Sequence, residues 1–410
     1  MNLVSGKLLW TNTSPIPYKY MYLSEDIECE IAVVGAGVIG AICAYYLTEA
    51  GIQTVLVDKN IIGYGSTSAS TSILQYEVDT DLIGLKGLIG IENALRSFKL
   101  NEKAVNDIKE IIDRLRNKCD FILRECFYYT ANPADEEFMQ NEYTLRKENG
   151  FDVEFLDSEA ATRRFSFKVQ AGIYSNSGAA EINPYRFAHE LIRSSVAKGL
   201  QVFENTEITY IEHTADSLLL ETKNGKKIKC KKIVVATGYE ATRYMKRRIA
   251  GINRTFTIVT KPVASFEGWH RRCILRDNNN PYTYLRTTLD NRIIIGGEDV
   301  KIGGINSKMS TLRNTDNFLN EKYNILENRL KSMFPAIHDI EIEYKFTGLF
   351  ADTKDSLPFI GPHRHFPNHY FCLCYGSNGI LYGILGGQLI RDLYLGKKPS
   401  EQGLFRFDRR

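Results

Sequence analysis

Long apolar runs are missing from this sequence of 410 residues. A helix that spans a membrane needs a run of about 18 or more predominantly apolar residues, and none is present. The best candidate, over residues 380–390, is short and is interrupted by three glycines and one glutamine. The sequence therefore does not predict a transmembrane segment.

An excess of charge of one sign is also missing. The 52 basic and 49 acidic residues leave a formal net charge of +3, which gives no reason to expect nucleic acid as a partner. The first 25 residues contain no apolar block and no small-residue cleavage site. They do not resemble a secretory signal, so the cytoplasm is the expected location.

The eight cysteines have neither the dense spacing of a disulfide scaffold nor the C-x-x-C spacing of a zinc site. We therefore expect buried free thiols. His363, His365 and His369 share one loop but have no neighbouring carboxylate or thiol, so no metal site is predicted.

What is present is ordinary globular composition, with 43% hydrophobic and 25% charged residues, and a length that suits two or three domains. Apolar residues three or four apart over residues 88–115 predict a pair of helices that cap the first domain. Further along, the patterns predict strands at 200–203, 208–212, 217–222 and 232–236, and a mostly β region at 255–299. A helix at 317–333 and a strand at 340–346 follow, and no internal repeat is present.

A complete βαβ unit is predicted near the start of the chain. Residues 30–34 form a short apolar run typical of a buried parallel strand, and Gly35-x-Gly37-x-x-Gly40 follows directly. A helical pattern over residues 41–50 then ends at Gly51, and a second strand over residues 54–57 ends at Asp58. The glycine motif therefore stands between a strand and a helix, as in dinucleotide-binding folds.

Each residue of this motif has a physical role. Gly35 permits the tight turn, Gly37 leaves room for a pyrophosphate at the helix N-terminus, and Gly40 allows close helix–strand packing. Asp58 lies 18 residues beyond Gly40, near the distance expected for a bond to a ribose. The alternative is a tight turn that binds no nucleotide, which this full context disfavours.

A loop rich in hydroxyl groups over residues 63–72 favours FAD over NAD. Its side chains and backbone can donate hydrogen bonds to a second phosphate and a flavin ring. A flexible linker is the alternative, and it fits poorly because Ile73 and Leu74 follow directly.

Five ordered motifs resemble the glycine oxidase and D-amino-acid oxidase superfamily of flavoproteins. The similarity begins near Ile31, and residues 66–74 resemble the Thr-Thr-Ser-Ala-Ala-Ala-Gly-Met-Leu string of glycine oxidases. Residues 232–238 resemble the flavoprotein strand that ends in Ala-Thr/Ser-Gly, and residues 204–208 the segment whose backbone meets the adenine. Residues 352–361 and 376–381 resemble the two C-terminal flavin motifs.

The resemblance implies an α/β fold. It would combine an FAD-binding Rossmann-like domain of the glutathione-reductase type with an interleaved α+β substrate domain that contains an antiparallel sheet. The expected FAD-binding segments are 26–84, 172–242 and 344–410, and the expected substrate or cap segments are 85–171 and 243–343. Residues 1–25 would form an N-terminal extension.

The resemblance also implies FAD as the cofactor and a set of residues that hold it. In the monomeric sarcosine oxidase branch a cysteine links to the flavin, and the matching position here is Gly348, so non-covalent FAD is expected. The cofactor-binding candidates are Gly35, Gly37, Gly40, Asp58, Lys59, Ser66, Thr67, Ser68, Ser70, Thr71, Ser72, Ile73, Ile208, Ala236, Thr237, Gly238, Gly348, Asp355, Gly376, Ser377, Asn378, Gly379 and Ile380.

The substrate-binding residues of the glycine oxidases are matched less completely by this sequence. Glycine oxidases fix the substrate carboxylate with a tyrosine and an arginine, and the matching positions here are Tyr282 and Phe350. A second arginine of those enzymes is matched by Ser377. Strand alternation places Tyr282, Tyr284 and Arg286 on one face, so Arg286 is a candidate for the missing charge. A structural role for Arg286 is the equal alternative.

The predicted function is FAD-dependent oxidation of a C–N bond in a small amine or amino acid, by hydride transfer to the flavin and hydrolysis of the imine. The electrons would pass to O2 or another acceptor. A substrate is expected that lacks an α-carboxylate or anchors it through Tyr282 and Arg286. The alternatives are an FAD-dependent dehydrogenase of a hydroxy acid or polyol phosphate, and a flavin-binding subunit of a larger oxidase complex.

Overall fold

A computed structural model describes residues 3–214, 216–243, 245, 249–302, 316–374, 376 and 378–409. Its strands are β1 (Val4–Gly6), β2 (Ile27–Val34), β3 (Thr54–Val57), β4 (Ile73–Gln75), β5 (Ile122–Thr130), β6 (Val153–Asp157), β7 (Ala171–Glu181), β8 (Gln201–Phe203), β9 (Ile208–His213), β10 (Leu218–Thr222), β11 (Lys227–Val235), β12 (Gly251–Thr260), β13 (Ile274–Asp277), β14 (Tyr284–Thr287), β15 (Ile293–Ile302), β16 (Ile342–Asp352), β17 (Phe359–His363) and β18 (Phe366–Leu373). Its α-helices are α1 (Trp10–Thr13), α2 (Val38–Glu49), α3 (Leu82–Ile89), α4 (Ile91–Arg114), α5 (Glu136–Glu148), α6 (Ser158–Thr162), α7 (Pro184–Val196), α8 (Asp316–Met333), α9 (Gly379–Tyr394) and α10 (Gln402–Phe405).

The smaller of the two sheets is largely parallel. Its strand order is β17-β18-β11-β2-β3-β8, and the hairpin of β9 and β10 joins it through β11. Ile31 and Val33 of β2 face a core that includes α2, α7 and α9, while Ala32 faces the core on the opposite side of the sheet. Because both faces are covered, the strands are continuously apolar, as the sequence indicates.

The larger sheet is mostly antiparallel, in the order β1-β16-β12-β15-β14-β13-β5-β7-β4, with β6 paired to β7. One of its faces packs against α8, where Leu326 and Leu330 meet Phe256 and Leu285 in a single core. The opposite face of β12, β14 and β16 turns towards the parallel sheet and contributes Thr255, among others, to the cavity described below.

Most predicted elements are present, with two differences. The βαβ unit is β2-α2-β3, and β8 to β11 lie where four strands are expected. The predicted helical pair over residues 88–115 is instead mainly one long helix, α4, because neither proline nor glycine interrupts it. The apolar pattern over residues 384–395 predicts a helix, and the corresponding helix α9 begins earlier, at Gly379.

The expected domain boundaries do not coincide with the boundaries between the sheets. Strands β4, β7 and β16 lie in segments assigned to the FAD-binding domain, yet they pair in the larger sheet. The division into domains therefore stays a prediction. Among the described residues, no helix is both long and apolar enough to cross a membrane.

Candidate functional site

A cavity of about 680 Å³ opens at the carboxyl ends of β2 and β3 and extends to the larger sheet. Ligands of open α/β sheets bind at this edge, where the strands end and the loops diverge. The cavity is within the range of volumes that small-molecule sites occupy, about 300–1,000 Å³. Its walls come from the glycine turn, the hydroxyl-rich loop, the hairpin β9-β10, and strands β12, β14 and β16.

The glycine turn is built as the motif predicts. Gly35 has φ +105°, a backbone conformation that other residues rarely adopt, and it lines the cavity. A Cβ atom at Gly40 would lie 1.7 Å from the carbonyl oxygen of Gly35, so only glycine allows this close packing of α2. Gly37 precedes α2 and lines the cavity, and the neighbouring N–H of Val38 donates to Thr67 Oγ1 at 2.9 Å. The turn and the hydroxyl-rich loop therefore hold each other in place.

Asp58 stands at the end of β3 and faces the same cavity. Its carboxylate accepts hydrogen bonds from the backbone N–H groups of Ala36 (2.7 Å) and Asn60 (2.8 Å). Burial raises the pKa of this carboxyl above its ordinary value, and the two N–H groups oppose that rise. At the neighbouring rim, Lys59 Nζ forms an ion pair with Glu240 at 2.6 Å.

The side chains of the hydroxyl-rich loop have different roles. Ser68 is buried and donates to the carbonyl of Gly65 at 2.8 Å, so it stabilises the turn and does not line the cavity. The hydroxyl groups of Ser66, Ser72 and, across the cavity, Thr237 are buried at its wall with no partner in the described part of the chain. A buried hydroxyl without a partner is costly, so these groups indicate that a polar ligand completes the wall.

Most of the predicted cofactor residues line this one cavity, although they come from several separate stretches of the chain. They are Gly35, Gly37, Asp58, Lys59, Ser66, Thr67, Ser70, Thr71, Ser72, Ile73, Ile208, Ala236, Thr237, Gly238, Gly348, Gly376, Asn378, Gly379 and Ile380. Asp355 does not line it, because its carboxylate pairs with Arg409 at 2.7 Å. Ser377 lies outside the described residues.

A second cavity of about 340 Å³ adjoins the first and shares Asp79, Tyr282, Asp299, Phe350 and Gly376 with it. The hydroxyl of Tyr282 donates to Asp79 Oδ1 at 2.6 Å, so this predicted substrate residue already has an acidic partner. Phe350, the residue predicted to stand in the place of the carboxylate-binding arginine, presents an apolar ring between the two cavities.

Arg286, the third predicted substrate residue, lines neither cavity. Its guanidinium is buried and donates to the backbone carbonyls of Ser72 (2.7 Å), Ile182 (3.1 Å) and Thr287 (3.1 Å), and it lies against the ring of Trp10. Buried carbonyl groups need donors, and Arg286 supplies them beneath the hydroxyl-rich loop. The geometry thus favours the structural alternative for this residue.

Charged groups that sequence reasoning missed line the two cavities. Arg276 lies in the first, Asp352 in the second, and Asp79 and Asp299 border both. Arg276 Nη1 donates to the backbone carbonyls of Val78 and Asp79 at 2.9 and 3.2 Å. The sequence offers a signal only for Asp299, since the glycines at 296 and 297 inside an apolar strand indicate a bulge.

Comparison with known proteins agrees with this geometry. The model of the DAO family, described as FAD dependent oxidoreductase, matches residues 30–393 of the chain. The chain belongs to this family. Its resemblance to the glycine oxidase and D-amino-acid oxidase group, its predicted α/β fold, and its prediction as an FAD-dependent oxidoreductase are thereby confirmed.

The similarity to individual relatives extends over nearly the whole length of this chain. It is 24% identical over 382 residues to gamma-glutamylputrescine oxidoreductase of Escherichia coli (strain K12), covering 91% of this chain and 85% of that protein. It is 23% identical over 398 residues to glycine oxidase of Bacillus subtilis (strain 168), covering 93% and 97%. The crystal structure of glycine oxidase from Geobacillus kaustophilus superposes with a TM-score of 0.76 at 20% identity, covering 93% of this chain and 99% of that one.

The cofactor of this DAO family member is FAD, and the cavity fits it. Gly37 and the start of α2 would meet the pyrophosphate, Asp58 would meet the ribose, and the free hydroxyls of Ser66 and Ser72 are placed for further polar groups. Gly348 lines the cavity and has no side chain to form a covalent bond, in agreement with the predicted non-covalent attachment.

Proposed function

We propose that this protein oxidises a C–N bond in a small amine or amino acid, with FAD as the hydride acceptor, and that hydrolysis of the imine completes the reaction. The observation that carries the proposal is the second cavity, which joins the cofactor cavity at Asp79 and Asp299. Carboxylates at this junction are suited to a substrate that enters as an ammonium ion.

The chain supplies three things to such a reaction. FAD, when bound, accepts the hydride from the carbon that bears the nitrogen. The acids at the junction orient the nitrogen, the rings of Tyr282, Tyr284 and Phe350 limit access of water, and a carboxylate accepts the proton that the ammonium ion must lose. Loss of that proton and of a hydride leaves a protonated imine, and water then converts it to a carbonyl compound and ammonia or an amine in protonated form.

The second predicted class, oxidation of a hydroxy acid or polyol phosphate, suits the cavity less well. Asp79 and Asp299 would face an anionic substrate at the junction, and like charges at close range in a partly buried site are unfavourable. The names of the relatives above support the same choice, since both enzymes are named for compounds that contain nitrogen. Transfer of electrons to O2 or to another acceptor, and a cytoplasmic location, stay predictions.

An anaerobic screen tests this proposal. The FAD-loaded protein is mixed with single amines, amino acids, hydroxy acids and polyol phosphates, and loss of the oxidised flavin absorbance is followed. Bleaching by an amine or amino acid, with release of ammonia or an amine, is expected. Bleaching only by compounds without nitrogen would contradict the proposal, as would no bleaching by any compound of either class.

A further inference from the structure

Asp299 lies on a β-bulge that interrupts the pairing of β12 with β15. Arg254 is opposite Val300 and Phe256 is opposite Gly297, so Glu298 and Asp299 together face the single residue Thr255. Bulges of this kind often stand beside active sites, where they change the direction of a side chain.

The two acids of the bulge have different surroundings. Glu298 forms ion pairs with Lys322 at 3.0 Å and Arg329 at 3.2 Å, both on α8, which packs on the far face of the sheet. Asp299 lines both cavities. Its Oδ1 atom is buried and has no hydrogen-bond partner in the described ranges, and the hydroxyl of Thr255 donates to the side chain.

The groups that share the cavities with Asp299 do not neutralise it. Asp79 lies in the loop after β4, Asp352 at the end of β16, and both repel its charge. Burial, followed by these acids and Glu298, raises the pKa of Asp299 to about 7, against the effect of the Thr255 hydrogen bond. The other titratable or charged groups that line the two cavities, among the described residues, are Asp58, Lys59, Glu207, Tyr210, Tyr239, Glu240, Arg276, Tyr282, Tyr284, Lys301, Cys372, Cys374 and Tyr382.

The positively charged side chains of the two cavities either contact other groups or lie at the protein surface. Arg276 donates to two backbone carbonyls and lies 4.4 Å from the ring of Tyr128, and Asp79 is among the acids that raise its pKa. Lys301 is exposed. Among the residues that the structure describes, the half-buried carboxylate at the junction therefore has no counterion, and a cationic ligand would supply one.

We propose that Asp299 binds the ammonium group of a substrate amine that has no α-carboxylate, and that it takes the proton from this group before oxidation. This inference rests on the proposed function. The N–H bond of the ammonium ion breaks, its proton forms an O–H bond on Asp299, and the nitrogen keeps the electron pair. The neutral amine then loses hydride to FAD as proposed above, and Asp299 later releases the proton to water.

An α-amino acid fits this junction less well than a simple amine. The position of the carboxylate-binding arginine is occupied by Phe350, and Arg286 lies beneath the cofactor loop. A carboxylate on the reacting carbon would have to approach Asp79 and Asp299, and Arg276 is the buried cation of the described cavity walls that could compensate. Binding of an α-carboxylate at Arg276 is the alternative that the experiment must separate.

The experiment uses matched pairs of compounds that differ only by a carboxylate on the reacting carbon. They are butylamine and norvaline, 1,4-diaminobutane and ornithine, and benzylamine and phenylglycine, with both enantiomers of each amino acid. Anaerobic flavin reduction is measured from pH 6 to pH 10 for the wild type, Asp299→Asn and Asp290→Asn. Asp290 is an acid outside both cavities that pairs with Arg292, so its variant matches the change in charge.

We expect at least one amine to reduce the wild-type flavin more than tenfold faster than its amino-acid partner. The wild-type rate should rise with pH, reach half of its maximum near pH 7 and level off above about pH 8, as Asp299 becomes able to accept a proton. In Asp299→Asn the rate at pH 7 should fall by about 100-fold or more, and should recover towards pH 10, where a growing fraction of the amine, with a pKa near 10.4, is neutral in solution. Asp290→Asn should behave as the wild type.

Binding gives a second readout that does not depend on turnover. Butyltrimethylammonium has a fixed charge and no proton to lose, and its binding to the FAD-loaded protein can be followed by the change in the visible flavin spectrum. Its affinity should rise with pH through about 7 in the wild type and in Asp290→Asn, and should not do so in Asp299→Asn. The same pH dependence in Asp299→Asn would overturn the inference.

Failure of this inference differs from failure of the proposed function. Faster reduction by the amino acids, lost in Arg276→Met and kept in Asp299→Asn, would overturn the inference and leave amine or amino-acid oxidation standing. No reduction by any nitrogen compound, in these pairs or in the wider screen, would overturn the proposed function and the inference with it.

Discussion

Asp299→Asn should make the folded protein more stable at neutral and alkaline pH, although it should impair the reaction. In the native protein the pKa of Asp299 is about 7, against an ordinary value of 3.8, chiefly because the carboxyl is buried. Between these two values the folded chain binds a proton that the unfolded chain has released, so the free energy of unfolding falls as the pH rises. Asparagine has no charge, so the variant escapes this loss.

The size of the effect follows from the two pKa values. At 1.36 kcal/mol per pH unit, the interval from 3.8 to 7 corresponds to at most about 4 kcal/mol, fully expressed above pH 7. About 3 kcal/mol of this should develop between pH 5 and pH 7. Asp299→Asn is therefore expected to gain stability and lose function, which is common when a residue of an active site is replaced.

Thermal unfolding of the FAD-loaded proteins tests this prediction, with the difference in Tm between variant and wild type measured from pH 5 to pH 9. The difference should grow in favour of Asp299→Asn up to about pH 7 and then stay constant. Asp290→Asn is the control at an acid whose pKa is shifted in the opposite direction. Hydrogen bonds from Thr288 and Arg292 outweigh the effect of burial and lower the pKa of Asp290. A Tm difference for Asp299→Asn that does not change with pH would refute the reasoning.

Three further substitutions test other parts of the site. Gly37→Val should abolish FAD binding, because a Cβ atom there would lie 3.1 Å from Thr67 Oγ1 and its methyl groups would enter the pyrophosphate space; retained yellow colour after purification would contradict this. Asp58→Ala should weaken FAD by a few kcal/mol at most, as measured by flavin titration, and unchanged affinity would remove Asp58 from the ribose site. Arg286→Met should lower Tm and FAD affinity because it leaves the carbonyls of Ser72 and Ile182 without donors, while KM at saturating FAD should change little; a large rise in KM alone would return Arg286 to the substrate site.

The cofactor half of the site could be predicted because its signals are local. The turn from Gly35 to Gly40, the acid at Asp58 and the hydroxyl-rich loop each lie in a short segment whose conformation follows from its own residues. The order of strand, turn and helix then fixes which edge of the sheet carries the cavity. The structure brings these segments together at that edge.

The substrate half could not be predicted in the same way. The alternation of side chains along a strand predicts one shared face for Tyr282, Tyr284 and Arg286, and both tyrosines line the first cavity. Alternation does not say how far the cavity extends along this face. The predicted place of Arg286 in the substrate site therefore lies beyond the reach of the cavity. Asp79 and Asp299 meet only through the pairing of distant strands and through a bulge. No single segment carries that information.

The most direct measurement is the balance of products in a single anaerobic turnover. FAD-loaded protein is mixed with one equivalent of the most active amine from the screen, and reduced flavin, carbonyl product and released ammonia are counted. The account predicts one of each per flavin, formed at the rate of bleaching. Reduced flavin without ammonia or a released amine would contradict the claim that the protein oxidises a C–N bond.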